Sequence, residues 1–335
     1  MTLLKLLKIK LFGLFVSVVV PLPEYFNAIS DDDALSDRIP FFRPSLAART
    51  VVVAISKPEI ILKLAVSKIL FFYLVFYAAL IGFFAAMLAV FWQTLDMKMP
   101  KYQLGESLIG SNPGLGFRPM PKEDNVESTL IWYKASDNGN VEAWTTQIDE
   151  FLEPYHQEED NRVDCSFDNP PPEGKVCKVP MNEWSSCTKA NRYNFKKKSP
   201  CIFLKLNKIF NWVPDLYNTT DNLPESMPED LREHISSELS RGDKNANIVW
   251  VSCAGENPAD NEHIGPINYF PRRGFPGYFF PFKNIEGYLP PIVAVHFESP
   301  KNGVLINIEC KAWARNIVHD RAERRGSVHF ELMVD

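Results

Sequence analysis

The sequence lacks the usual signatures of an active site. It has no H-E-x-x-H pair, no Gly-rich loop ending in Gly-Lys-Ser/Thr and no G-x-S-x-G around a serine, which excludes the zinc-peptidase, P-loop and serine-hydrolase patterns. Its six histidines are scattered, and His263, beside Asp260 and Glu262, reads as part of a solvated turn rather than a metal site. An excess of positive charge is also missing. Lys and Arg number 36 against 41 Asp and Glu, for a net charge of −5. No Lys/Arg stripe with interleaved aromatics is present, so a nucleic-acid binder is excluded. The run Asn194-Phe195-Lys196-Lys197-Lys198 reads as a solvated turn. Cysteine is absent ahead of Cys165, and charge is absent from Ile69 to Leu95.

The last of these absences is the most informative. A helix over Ile69–Trp92, at ~1.5 Å per residue, is long enough to cross a ~30 Å hydrocarbon core. A core helix of a soluble domain seldom stays apolar on every face for this length. The expected division is a tail over 1–68, a transmembrane helix over 69–95 and a domain over 96–335. Arg49, Lys57, Lys63 and Lys68 precede the span, against Lys98 and Lys101 after it, which places the amino terminus in the cytosol. Cys165, Cys177, Cys187, Cys201, Cys253 and Cys310 all follow the span, as does the sequon Asn218-Thr219-Thr220. An oxidising, glycosylating compartment on that side gives the same single-pass type II orientation. The apolar start, with Lys5, Lys8 and Lys10 ahead of Leu11–Val20, is too short for a second span and reads as an interfacial or unstructured extension. The only Asp-x-Asp triplet, Asp31-x-Asp33, lies on the cytosolic side, which disfavours a type II glycosyltransferase.

Beyond the span, 96–121 is rich in Gly and Pro and reads as a stalk or irregular strand. Thr129–Lys134 is a strand candidate. Val141, Trp144, Ile148, Phe151, Leu152 and Tyr155 recur at helical spacing, predicting one helix over about 141–153, capped by Asn140 and stopped near Pro154. The stretches 248–253, 291–297, 304–311 and 327–334 read as strands, most of them with period-two alternation. Together with the turns between them they predict an antiparallel β-sandwich. The spacing of Cys253 and Cys310 is compatible with an inter-sheet bridge of an immunoglobulin-like domain. Six cysteines allow many pairings, of which the sequential one is a single possibility.

Within the apolar run, Tyr73 and Tyr77 fall within ~40° of each other on a ~100°-per-residue wheel, while Ala78, Gly82, Ala85, Ala86 and Ala89 cluster on the opposite side. Tyr73 suits an interface anchor. Tyr77 lies ~12 Å deep in an upright helix, where a hydroxyl facing lipid is costly, so it is expected to meet another helix.

Longer phrases carry a family resemblance: FFYLVFYAALIGFF, GLGFRPMP, KVCKVPMNEWSSC with SPCIFLKLNKIFNWVP, WVSCAGENPADNEHIGPINYFP, and EGYLPPIVAVHF with VLINIECKAWARNI. Over residues 69–335 the chain resembles the β subunits of the Na+/K+-transporting ATPases, in their invertebrate form. The resemblance implies a non-catalytic, glycosylated partner of a P-type pump, with one transmembrane helix and an immunoglobulin-like ectodomain bearing an inserted helix. It implies no cofactor and no metal of its own. It also implies the sequential disulfides Cys165–Cys177, Cys187–Cys201 and Cys253–Cys310, and tyrosines at 73 and 77 that face a helix of the catalytic α subunit. Consistently, no Asp-Lys-Thr-Gly-Thr phosphorylation motif is present.

Two features depart from the family. Where many members carry a Tyr-Tyr-Pro-Tyr-Tyr-Gly-Lys-like contact segment, this chain has Phe279-Phe280-Pro281-Phe282-Lys283-Asn284, which keeps the aromatic shape without the hydroxyls. Phe279, Phe280 and Phe282 are expected to form a docking surface for the α subunit. The Gly-Arg-Thr phrase usual before the span is missing, so residues 1–68 inherit no role. The implied function is folding, plasma-membrane delivery and K+ handling of the catalytic subunit. The competing reading is an adhesion ectodomain acting independently of pumping, through homotypic contacts.

Overall fold

The structure, a computed structural model, describes residues 58–121, 128–220, 223–242, 247–320, 323 and 325–335, with side chains from Val66 onward. The apolar start and Asp31-x-Asp33 lie outside the described residues. Two compact units are distinguished, Met1–Ala85 and Ala86–Asp335.

Helix α1, Pro58–Gln93, is longer than the expected 69–95 at its start and two residues shorter at its end. Pro suits the first helical position, and no further proline interrupts the helix before Gln93. Within it, Val66–Gln93 is long and apolar enough to cross a membrane, and among the described residues none of its most apolar window is buried.

The second unit is mostly β. Its strands are β1 (Leu115–Arg118), β2 (Leu130–Tyr133), β3 (Arg162–Val163), β4 (Val176–Cys177), β5 (Cys201–Leu206), β6 (Ile248–Gly255), β7 (Ile267–Phe270), β8 (Gly274–Pro276), β9 (Ile292–Phe297), β10 (Ile306–Trp313) and β11 (Ser327–Val334). Helices α2 (Asn138–His156), α3 (Glu229–Arg241) and α4 (Pro258–Ile264) interrupt them. One sheet runs β1-β5-β9-β7 and the other β2-β11-β10-β6-β8, with a separate two-residue pair β3-β4. The larger sheet is not purely antiparallel as expected, because β2 pairs with β11 in parallel. The two sheets share one core. Phe330 of β11 stacks on Phe117 of β1 at 5.0 Å and meets Phe297 of β9 edge-on at 6.2 Å.

Burial explains which strands were legible. Strand β10 alternates, with Ile306, Ile308, Cys310 and Ala312 buried and the residues between them half-buried. Strand β6 does not alternate, because Ile248 through Cys253 are all buried. Its inner face, Val249 and Val251, joins the main core. Its outer face, Ile248 and Trp250, packs with Trp313 under Leu231 and Ile235 of α3. This helix is a correction to the expectation of a single helix: only Leu231 and Ile235 of its residues are buried, too few to make a visible stripe. Arg273 ties it down through Asp230 at 2.6 Å. Of the stalk or irregular strand expected over 96–121, the strand reading holds for 115–118. Leu115 and Phe117 are buried, and β1 is hydrogen-bonded along β5 from Leu115↔Leu206 to Arg118↔Phe203.

Helix α2 starts earlier and ends later than expected. Asp137, not Asn140, caps it, accepting from Gly139 N at 2.9 Å, and Pro154 sits inside its last turn. There the missing N–H costs only one bond near the helix end. Val141, Ile148, Leu152 and Tyr155 face inward, and the Tyr155 hydroxyl donates to Pro290 O at 3.0 Å. The basic run is only half solvated: Asn194 and Phe195 are buried, while Lys196 and Lys197 are exposed.

Three disulfides join Cys165 to Cys177, Cys187 to Cys201 and Cys253 to Cys310, with no free cysteine among the described residues. The third is not an inter-sheet bridge. Cys253 and Cys310 are directly opposed on neighbouring strands β6 and β10 of one sheet, with Cα atoms 4.0 Å apart. An adjacent antiparallel pair brings Cα atoms to about this distance, whereas facing sheets stand ~10 Å apart.

Asp260 and His263 lie on α4, not in an open turn. Asp260 is buried and accepts from Asn307 N at 3.2 Å, docking α4 on β10. Gly255 lets α4 lie this close, since a Cβ there would stand 2.5 Å from both Asn261 N and Asp260 C. Gly255→Ala is therefore expected to destabilise the unit by ~1–3 kcal/mol, because both obstructing atoms are backbone. A urea midpoint equal to that of the unsubstituted chain would show that α4 yields freely.

Candidate functional site

Two surfaces gather the residues singled out in the sequence. The first is on α1. The rings of Tyr73 and Tyr77 stack at 6.2 Å, and Phe72 and Phe76 stack beside them at 6.3 Å. Both tyrosines are about half exposed, at 50% each, so this aromatic ladder is not covered by any of the described residues. The small-residue face from Ala78 to Ala89 is exposed as well.

The second surface is the loop between β8 and β9. A 3-10 turn over Gly277–Phe279 and a cis Phe280–Pro281 bond shape it. Its three phenylalanines do not behave alike. Phe279 is 4% exposed and belongs to the core, which removes it from any docking surface. Phe280 is half-buried edge-on against Trp212 at 5.5 Å. Phe282 is half-buried too, tilted on Tyr288 at 4.9 Å and edge-on to Phe210 at 6.3 Å. The backbone joins the packing, as Asn211 N donates to Phe282 O at 2.9 Å. Beside the loop opens a cavity of about 750 Å³, lined among others by Met99, Phe210, Tyr278, Phe280 and Tyr288.

Charge enters this aromatic cluster from one side. The Lys208 ammonium lies 5.3 Å from the Phe282 ring centre and 5.4 Å from that of Tyr288. Burial lowers the Lys208 pKa and pushes the Tyr288 phenol well above its ordinary range. Each contact is of cation–π type, worth ~0.5–2 kcal/mol depending on desolvation. Phe210, Trp212, Lys208 and Tyr288 were not anticipated as neighbours of the loop. Lys208–Trp212 follows β5 in sequence while Tyr288 precedes β9, and the β5–β9 pairing, with the bridge between Phe210 and Phe282, brings them together.

The sequon asparagine, Asn218, is exposed, and its Oδ1 accepts from Arg315 Nη2 at 3.0 Å. Among the described residues, no group of three or more His, Cys, Asp or Glu side chains could hold a metal ion. Both surfaces offer shape and aromatic area for a macromolecular partner, and neither offers a nucleophile with a base.

Known proteins resemble the chain through both α1 and the β unit. The family model described as sodium/potassium ATPase beta chain matches residues 65–330. Sodium/potassium-transporting ATPase subunit beta-2 of Drosophila melanogaster is 53% identical over 275 residues, covering 80% of this chain and 85% of that protein. Subunit beta-1 of the same fly is 40% identical over 272 residues, covering 80% and 86%. Human subunit beta-2 is 27% identical over 288 residues, again covering 80% and 86%. With the matched region running from α1 into the last strand, the chain belongs to the sodium/potassium ATPase beta chain family.

Proposed function

We propose that the chain is the non-catalytic subunit of a sodium/potassium-transporting P-type pump, assembling with the catalytic α subunit and supporting its folding, plasma-membrane delivery and K+ handling. The observation that carries this reading is the continuous family match over 65–330, which takes in the apolar helix as well as the β unit. In this reading α1 is the single span of a type II protein, the amino terminus is cytosolic, and the β unit is an extracellular domain of immunoglobulin-like build. The three disulfides and the exposed Asn218, whose side-chain nitrogen is the atom that carries a glycan, suit that side of the membrane. Docking to the α subunit uses the Tyr73–Tyr77 face in the bilayer and Phe280 with Phe282 outside it, while Phe279 supports the loop from beneath.

Co-expression tests the reading. Without the α subunit, surface labelling of the chain is expected to be low, and with it high. Equal surface levels in both conditions would reverse the conclusion in favour of independent adhesion. Tyr77→Leu is expected to insert normally, since leucine is at least as favourable in the bilayer, yet to weaken detergent-resistant co-precipitation by ~0.6–2 kcal/mol. Ala86→Leu, on the opposite face, is the control. If only Ala86→Leu impairs assembly, the small-residue face is the contact.

A further inference from the structure

A separate cavity of about 540 Å³ opens at the polar end of the aromatic loop. Its wall carries three ammonium groups, Lys98, Lys208 and Lys283, against one carboxylate, Glu286. Lys208 contacts two aromatic rings but pairs with no carboxylate among the described residues. Lys208 is exposed to solvent on the cavity wall without a countercharge, so an anion entering the cavity can reach its ammonium and supply one.

The position of the cavity narrows the choice of anion. Asn284 Nδ2 donates to Lys98 O at 3.2 Å, pinning the loop to the segment that leaves α1. Lys98 follows Gln93, the last residue of α1, so closely that the chain between them spans at most ~18 Å. Met97 and Met99, on either side of Lys98, are 78% and 54% exposed, and Tyr102 is 60% exposed. Exposed thioethers and a phenol alternating with lysines, just past an apolar helix, suit the boundary between acyl chains and headgroups.

We propose that this cavity binds the phosphodiester of a phospholipid headgroup in the leaflet where α1 ends, with Lys208 as the central ammonium and Lys98 and Lys283 flanking it. The inference rests on α1 spanning a bilayer and not on the identity of a catalytic partner.

The test uses the full chain in nanodiscs of phosphatidylcholine or of digalactosyl diglyceride, which has acyl chains and forms bilayers but carries no phosphate. A water-soluble amine-acylating reagent and peptide mass spectrometry report each lysine. Lys208 is expected to react about fivefold more slowly in phosphatidylcholine, while Lys189, whose side chain is 76% exposed, reacts alike in both. Equal Lys208 rates in the two bilayers overturn the proposal. Protection in galactolipid discs by millimolar inorganic phosphate to the same degree overturns the lipid as source. Protection only after the catalytic subunit is added assigns the cavity to a protein carboxylate instead, and leaves the assembly reading standing. As a second measurement, cross-linking of residues 282–288 by a phosphatidylcholine with a headgroup photoprobe is expected to fall about fivefold in Lys208→Gln and to stay unchanged in Lys189→Gln. An unchanged yield in Lys208→Gln also overturns it.

Discussion

Cys253→Ser is expected to destabilise the β unit by ~4 kcal/mol, more than the loss of either other disulfide. The bond closes a separation of 57 residues, against 12 for Cys165–Cys177 and 14 for Cys187–Cys201. In the chain-entropy model the short loops are worth ~3 kcal/mol each and the long one ~4. A second term adds to the first, since Cys310 is fully buried and its orphaned thiol would remain in the core. Because the bond links neighbours already hydrogen-bonded along β6 and β10, its loss leaves the ladder between them in place. The variant is therefore expected to keep a native far-UV spectrum while its urea midpoint falls. If Cys165→Ser lowers the midpoint more than Cys253→Ser does, loop length is not what governs the ranking.

Phe330→Ala is expected to cost ~3–5 kcal/mol. The ring is fully buried between Phe117 and Phe297, so it touches both sheets at once. Deleting it removes the transfer free energy of a large side chain and leaves a cavity that two hydrogen-bonded sheets cannot close. For a unit of this size the loss corresponds to ~10 °C in melting temperature. Phe330→Leu, which refills much of the volume, is expected to cost nearer ~1 kcal/mol. Calorimetry of the two variants checks the contrast, and equal costs would mean that ring stacking rather than volume governs the site.

How far the sequence disclosed these features depends on the element. Strand β10 was readable because one of its faces is buried and the other half-open, so its residues alternate. Strands β6 and β9 were readable as apolar runs, although the two-sided burial of β6 by α3 was not. Helix α3 was hidden because two buried residues suffice to dock it. The cross-strand geometry of Cys253–Cys310 was hidden because sequence separation does not distinguish a neighbour in the sheet from a partner across the core. At the candidate site, the aromatic character of 279–282 was plain. Its division into a core residue, Phe279, and two half-exposed ones depends on the 3-10 turn, which leaves no periodic mark. Lys208 could not be connected to Tyr288 before the β5–β9 pairing was known.

The pairing of β2 with β11 has a consequence in time. Leu130–Tyr133 and Glu331–Val334 are register partners, yet they stand near opposite ends of the unit's sequence. Contacts between such distant segments are formed late, because the entropy of closing the intervening chain must be overcome first. A growing polypeptide that has reached β10 thus holds a sheet with one unfinished edge, along Ile306–Trp313, and a β2 with nothing to pair with. Unpaired edges of this kind attract other strands. The species most exposed to misassociation is therefore a chain folded through β10 that still lacks β11, and the arrival of β11 fills the gap between β10 and β2 in a single step.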